Sequence, residues 1–510
     1  MLTLQRQRVD IEPMNFRDTN QSISSGEIQR SISKVCDYTI TKSLGGCNGQ
    51  VYQVCNNRGE LKVLKLFTEG NLYMCPRNPY EVSIASTFRH PNLMSCEELL
   101  ILGENPSMLG VTMSCASMCL IDVMSSINVG FEQRLTYLHQ TIKGLAFLHL
   151  NGYLHLDVKV DNVLIVRGVA QLADFGHSGR MDANGLMFSD YPLMTELYRP
   201  PELLKAKNHY TYSVHSESWT VGHLMVMTCF GRGFFPSECY KNQKKGVAFI
   251  LNEFENQKQR LIYEMCCAGT SSNGSSVHSG SRIAPIMEPN ERIGRLVTFL
   301  TSLFSTQPHR RLRAVDMVND PLFQGLGGTE IKGELAPRVR YFTPPDTASQ
   351  VERICGMLLE YWPSCSSRLL FLAVDLYIRS IAYTCHYGEG ESVNRLRKVM
   401  AAVCCWLAHK MEGKLDTDTT RKLIGWCSST PNEFNSMELK VIVMLKGDLS
   451  NNYLYEICTG ANHLRLCYNT IVRGDPDVYV DLDLQKWKEM MGEPMGNPYL
   501  TIAELHANLH

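Results

Sequence analysis

His155-Leu156-Asp157-Val158-Lys159-Val160-Asp161-Asn162, followed by Asp174-Phe175-Gly176, is the stretch that decides how this chain folds. Two carboxylates, an amide and a lysine crowd into the first eight residues, and a third carboxylate, Asp174, stands twelve residues past Asn162. Between them, Val163-Leu164-Ile165-Val166 and Val169 to Ala173 are short apolar runs separated by Arg167-Gly168. That pattern predicts two strands joined by a tight turn, with polar groups carried at both ends. A lone His-x-Asp or Asp-Phe-Gly recurs by chance and is then structural. Both together, in this order around a hairpin, are hard to obtain by chance.

The chain has 510 residues, 44% apolar and 20% charged, the composition of a globular protein of two to four domains. A formal charge of −1 gives no global electrostatic reason to expect nucleic acid or an acidic membrane as partner. The first ten residues, MLTLQRQRVD, lack the apolar run of a signal peptide, and no uncharged apolar stretch reaches membrane-span length. The expectation is a protein of the cytoplasm or nucleus of a host cell. Nineteen cysteines without a Cys-x-x-Cys pair favour reduced, buried thiols over disulfides or zinc.

The opening stretch resembles the catalytic loop of protein kinases, His-Arg-Asp-Leu-x-x-x-Asn, with Leu156 in place of Arg and Val158 in place of Leu. The resemblance implies that Asp157 orients a substrate hydroxyl, that Asn162 and Asp174 hold Mg2+, and that Lys159 stabilises charge on the transferred group of a serine or threonine substrate. Upstream, Leu44-Gly45-Gly46-Cys47-Asn48-Gly49-Gln50-Val51 is similar to the glycine-rich loop over ATP, although its first glycine falls on Leu44. Gly45, Gly46, Gly49 and Val51 are the implied nucleotide contacts. Lys65, sixteen residues beyond Gly49 and preceded by Val63-Leu64, matches the phosphate-binding lysine better than Lys62 does. Glu81, nine residues before His90-Pro91-Asn92, matches the glutamate that pairs with it from the αC helix. Met113 would stand behind the adenine, and Ser114-Cys115-Ala116 would form the hinge.

Further along, Thr195-Glu196-Leu197-Tyr198-Arg199-Pro200-Pro201-Glu202 resembles the end of an activation segment, closest in form to the cyclin-dependent and mitogen-activated branches. In the cyclin-dependent branch a phosphothreonine precedes this threonine by five residues, and here that place is Asp190. Glu217 replaces an aspartate that normally anchors the catalytic loop and is one methylene longer, so the anchor is an open question. Arg311, with Arg310 and Arg313 as competitors, fits the arginine that pairs with Glu202.

These matches divide the chain into a leader at 1–35, a kinase N-lobe at 36–113, a C-lobe at 114–325 with a Ser/Gly-rich insertion at 268–283, and a connector at 326–349. Helical patterns follow at 351–361, 367–384, 392–411, 417–427 and 432–446, with no ligand cluster among them. Leu372 to Arg379, Leu407 to Glu412 and Phe434 to Ile442 are similar to segments of the cyclin box, which implies that Lys410 and Glu412 help present a surface to the αC helix. The expected fold is therefore an α+β bilobal protein-kinase fold, followed by an all-α cyclin-like helical domain over 350–454 and an extension at 455–510. Such fusions resemble proteins of large DNA viruses. The implied function is transfer of the ATP γ-phosphoryl group to protein serine or threonine with Mg2+, aided in cis by the cyclin-like domain, with no membrane or nucleic-acid partner. The competing class is a pseudokinase scaffold, for which Leu156, the displaced glycine and Glu217 speak.

Overall fold

The computed structural model describes residues 34–35, 38–45, 50–67, 79–102, 108–126, 128–182, 184–231, 233–267, 289–335, 347–364, 367–381, 391–412 and 417–449. Gly46, Gly49, most of the leader, the insertion at 268–283 and the extension at 455–510 lie outside the described residues.

The first described elements are β1 (Lys34–Val35), β2 (Tyr38–Gly45), β3 (Gln50–Asn56) and β4 (Leu61–Phe67), then α1 (Tyr80–Thr87), β5 (Phe88–Arg89), β6 (Glu98–Leu102) and β7 (Met108–Ser114). Six of these strands form an antiparallel sheet in the order β1-β2-β3-β4-β7-β6. Alternation along β4 sorts its side chains: Leu64 and Leu66 are buried with Tyr38, Tyr52 and Val54, while Lys65 takes the other face. Val51 is the cross-strand partner of Lys65, and Met113 that of Val63, so all four share the face opposite that core.

Helix α1 has eight residues, including Val82, Ile84 and Thr87, and its N-cap, Pro79, makes no side-chain cap bond. Isolated helices shorter than ~12 residues are marginal in water. The position of α1 is thus set by what packs on it.

The second lobe contains β8 (Met118–Cys119), α2 (Leu120–Ser125), α3 (Phe131–Leu150), β9 (Tyr153–Leu154), β10 (Val163–Val166), β11 (Val169–Leu172), β12 (Gly179–Arg180), β13 (Leu186–Ser189), α4 (Pro201–Lys205), β14 (Tyr210–Ser213) and α5 (Val214–Phe230). The hairpin β10–β11 turns at Arg167 and Gly168, both at positive φ, the geometry of a two-residue turn that matches strand twist. Helices α6 (Ser237–Lys241), α7 (Gln243–Asn252), α8 (Phe254–Cys267), α9 (Pro289–Leu303) and α10 (Ala314–Met317) complete the lobe. Its core is aromatic: Trp219 of α5 meets Phe254 and Phe304 edge-on at 5.3 and 5.1 Å, and Phe234 stacks on Phe304 at 4.1 Å. His90 stacks on Phe147 of α3, and Asn92 bonds to Ala170 and Leu172 of β11, which ties the segment after α1 to the β10–β11 hairpin.

The connector is not wholly free of structure. Lys143 donates to the Gly328 carbonyl, Gly333 lies on Phe147, and β15 (Glu334–Leu335) pairs with β5. Within this Gly/Pro-rich connector, expected at 326–349, Gly333 is what lets the backbone pass Phe147, since a Cβ there would stand 2.4 Å from the ring. The helical module follows as α11 (Thr347–Tyr361), α12 (Ser367–Ile381), α13 (Glu391–Met411), α14 (Thr417–Cys427) and α15 (Pro431–Met444). Every residue of α13 from Val399 to Met411 is buried, because the other four helices pack around it.

Candidate active site

The loop containing Asp157 is held from below. His155 is fully buried; its Nδ1 accepts from the Asp157 amide at 3.2 Å and its Nε2 lies 3.0 Å from the Ala173 carbonyl. Those partners select the neutral tautomer protonated on Nε2, and burial keeps the ring's pKa below its ordinary value. Glu217 of α5, with no exposed surface, accepts from the amides of His155 at 3.0 Å and Leu156 at 2.7 Å. Its other oxygen meets His149 Nε2 at 2.7 Å. The longer side chain therefore reaches the loop, and a ring from α3 takes up the second oxygen. Burial opposes charge on Glu217, but the His149 bond and the loop amides outweigh it and keep its pKa low.

At the top of the loop, Asp157 Oδ2 accepts from Lys159 Nζ at 2.7 Å and from Asn162 Nδ2 at 2.8 Å, with His177 Nδ1 3.6 Å away. Among the described residues Oδ1 has no hydrogen bond. Burial would raise the Asp157 pKa, yet His177 and Lys159 together hold it well below the usual carboxylate range. A carboxylate that weakly basic orients a hydroxyl more effectively than it strips a proton from one.

Across the cleft Lys65 bonds to both Glu81 of α1 and Asp174, the latter at 3.2 Å. Burial alone would lower the Lys65 pKa; the two carboxylates more than offset it and keep the ammonium charged. Lys62 pairs instead with Glu97 near the surface. Asp174 sits at φ 62°, a left-handed strain typical of functional sites, and Phe175 is buried edge-on to His155 at 5.4 Å. The Ala173 amide bonds to the Asn162 carbonyl at 2.8 Å, joining the two segments that bear the candidate metal ligands.

The donor chemistry fits a magnesium nucleotide. Because the Asn162 amide nitrogen is committed to Asp157, its carbonyl oxygen is available, and with the Asp174 carboxylate it offers the hard oxygens that Mg2+ prefers. Val51 and Met113 give the same sheet face an apolar lining beside Lys65. Cys115 receives a weak bond from Gln53 at 3.5 Å, and Met118 pairs with Ile165, fastening the hinge to the hairpin. Of the glycine-rich stretch, Gly45 is described; it lies at φ 81°, where β2 ends and a side chain would be strained. Arg311, not Arg310 or Arg313, makes the two-pronged pair with Glu202, at 2.7 and 2.8 Å.

The pattern described as the protein kinase domain matches residues 38–323, more than half of the chain. This chain belongs to the protein kinase family. Within that family it is similar to cyclin-dependent kinase-like 2 of Rattus norvegicus, 26% identical over 56% of this chain and 56% of the relative. It is also similar to cyclin-dependent kinase F-3 of Oryza sativa subsp. japonica, 25% identical over 48% of this chain and 54% of the relative. A third relative, serine/threonine-protein kinase bur1 of Neurospora crassa, is 26% identical over 59% of this chain and 57% of its own. The chain thus spans about half the length of the curated relatives it matches. No helix among the described residues is long and apolar enough to cross a membrane.

Two features of the kinase site escaped motif reading. His177 follows the Asp-Phe-Gly triplet and faces Asp157, a contact that only the folded loop creates. Leu156 is fully buried in an apolar cluster with Leu154, Met194, Leu203 and Tyr212, where Met194 and Leu203 belong to or flank the activation segment. Asp190, 87% exposed at its side chain, bonds to exposed His209 at 3.0 Å and neutralises no buried cation.

Proposed function

We propose that this protein is a serine/threonine kinase that transfers the ATP γ-phosphoryl group to protein hydroxyls. The observation that carries the reading is the double engagement of Lys65 by Glu81 and Asp174, which sets α1 and the Asp-Phe-Gly segment together around one cation. Asp157 receives the substrate hydroxyl on Oδ1 while Oδ2 is held by Lys159 and Asn162. Lys65 contacts the nucleotide's α/β-phosphates, Glu81 positions Lys65, and Lys159 stabilises the charge of the group in flight. Asn162 and Asp174 would hold Mg2+, which when bound would neutralise phosphate charge. The anchoring of the loop by Glu217 and His149 answers one of the reasons for a scaffold without catalysis.

The helical module is a cyclin-like domain that activates in cis by holding α1 inward. Two contacts support this: Tyr80, the residue before Glu81, donates to the Met411 carbonyl at 3.1 Å, and the turn after α15 lies against Val82 and Ser86. Lys410 pairs inside the module with Glu438 and stacks on Trp406 at 5.2 Å, so its part in the surface is to brace the end of α13. A Mg2+-ATP binding titration followed by phosphorylation of a generic protein substrate tests the activity. Truncation near residue 345 tests the module: activity should fall strongly and return in part when the 346–510 fragment is added. Equal activity with and without the module would make it a recruiting domain.

A further inference from the structure

We infer that Gly447 is a positioning residue for phosphoryl transfer, setting through α1 where Glu81 stands; the inference rests on the cis-activation reading above. Helix α1 cannot hold itself, being eight residues long with no side-chain cap at its N-terminus. Its placement is delegated to neighbours, and on the module side one neighbour is a backbone turn. After α15 the chain reverses with Lys446 at φ 51° and Gly447 at φ 74°, and the amides of Lys446 and Gly447 close onto the carbonyls of Val443 and Ile442. A Cβ built on Gly447 would stand 2.3 Å from Ser86 Oγ, 2.6 Å from Ser86 Cβ and 3.2 Å from Val82 Cγ1. The hydroxyl can rotate away. The Ser86 Cβ cannot, because it is fixed to the helix backbone.

The turn has no freedom to give way either. Arg379 of α12, buried with Asp375, donates to the Asp448 carbonyl at 2.7 Å and lies 3.4 Å from its carboxylate. Two bonds from Arg379 to Asp375 Oδ2, at 3.0 and 2.7 Å, fix the guanidinium in turn. Any side chain at 447 therefore displaces α1 rather than the module. Ser86 and Glu81 share that helix, so a shift at Ser86 is felt at the bond to Lys65. A misplacement of about 1 Å at a distance from the chemistry can cost on the order of a hundredfold in rate.

The test uses the full chain. Asparagine tolerates the left-handed conformation, so Gly447→Asn introduces the clash with little backbone strain. The expected result is a fall in kcat of about tenfold or more, in protein whose melting profile stays cooperative. Adding Ser86→Gly removes both close atoms of α1, and the double variant should recover towards the rate of Ser86→Gly alone. A role confined to stability would instead lower the melting temperature and the active fraction while leaving kcat per folded molecule at the wild-type value. Wild-type activity in Gly447→Asn, or a double variant no faster than the single one, overturns the inference. Activity lost on truncation at 345 but untouched by Gly447→Asn would overturn it while leaving cis activation in place; activity untouched by either change overturns both.

Discussion

Removing the Leu156 side chain should loosen the activation segment of a protein that has never been phosphorylated. In kinases switched by phosphorylation, an arginine at this position helps bind the phosphate; here a leucine packs against Leu154, Met194, Leu203 and Tyr212, with Met187 and Leu193 at the edge. The site has two opposed terms. Leu156 lies at φ 62°, a left-handed conformation that costs a non-glycine residue roughly 1–2 kcal/mol. Its side chain is fully buried, and truncating such a leucine to alanine costs about 2–5 kcal/mol. Leu156→Ala keeps the strain and loses the packing, so a net loss of ~3 kcal/mol is expected. Concentrated in the segment, that is roughly a hundredfold shift of its order–disorder equilibrium constant at about 1.4 kcal/mol per factor of ten.

The assay is phosphorylation of a generic substrate by protein shown unphosphorylated by mass spectrometry, alongside urea denaturation and protease cleavage within residues 186–199. Wild type should be active, Leu156→Ala much less so and cut faster. Leu156→Arg should do no better, because the guanidinium enters an apolar cluster with no anion to meet it. The reasoning fails if Leu156→Ala keeps wild-type stability and activity, or if unphosphorylated wild type is inactive and is rescued by phosphorylation at Ser189.

Other perturbations address the site and its supports. Asp157→Asn and Asp174→Asn should abolish transfer with the fold intact by circular dichroism; a near-wild-type rate in Asp174→Asn would show that the metal ligand is misassigned. Glu217→Gln puts an amide donor where loop amides and His149 converge, and should cost ~2–3 kcal/mol in urea denaturation; unchanged stability would mean that Glu217 is no anchor. His223, buried among Phe234, Phe235 and Phe304, has its pKa lowered by burial to about 3. The folded state thus refuses a proton that the unfolded chain takes up near pH 6.5, and the stability present above that pH is lost as pH falls towards 3. Between pH 7 and 5 wild type should lose about 2 kcal/mol more than His223→Phe does; parallel pH profiles would refute this.

The polar set Lys65, Glu81, Asp157, Asn162 and Asp174, which the fold brings around one cleft, was legible through its residue types and spacing, which resemble the kinase motifs. The helix Phe131–Leu150 and the hairpin Val163–Leu172 were legible for a different reason, the periodicity of their apolar residues. What stayed hidden depends on contacts across long stretches of chain. Whether a glutamate serves at 217 turns on His149, 68 positions earlier, and no local pattern joins them. The two-residue strand Glu334–Leu335 is too short to show alternation, and its pairing with Phe88–Arg89 joins positions about 245 residues apart, so the segment reads as linker from sequence. Gly447 carries no motif; what a side chain there would meet, Ser86 and Val82 of α1, lies about 360 positions earlier in the chain.

That short pairing of β15 with β5 also bears on how the molecule responds to its own abundance. It returns the chain to the base of α1 before the module begins at Thr347, with residues 336–346 as the only span between. The contact between module and kinase is therefore unimolecular, and its occupancy does not change on dilution. Stoichiometry is fixed at one to one by the peptide bond. With activation in cis as proposed, output per unit volume rises with the first power of protein concentration, where two separate, weakly associated subunits would give the product of two concentrations.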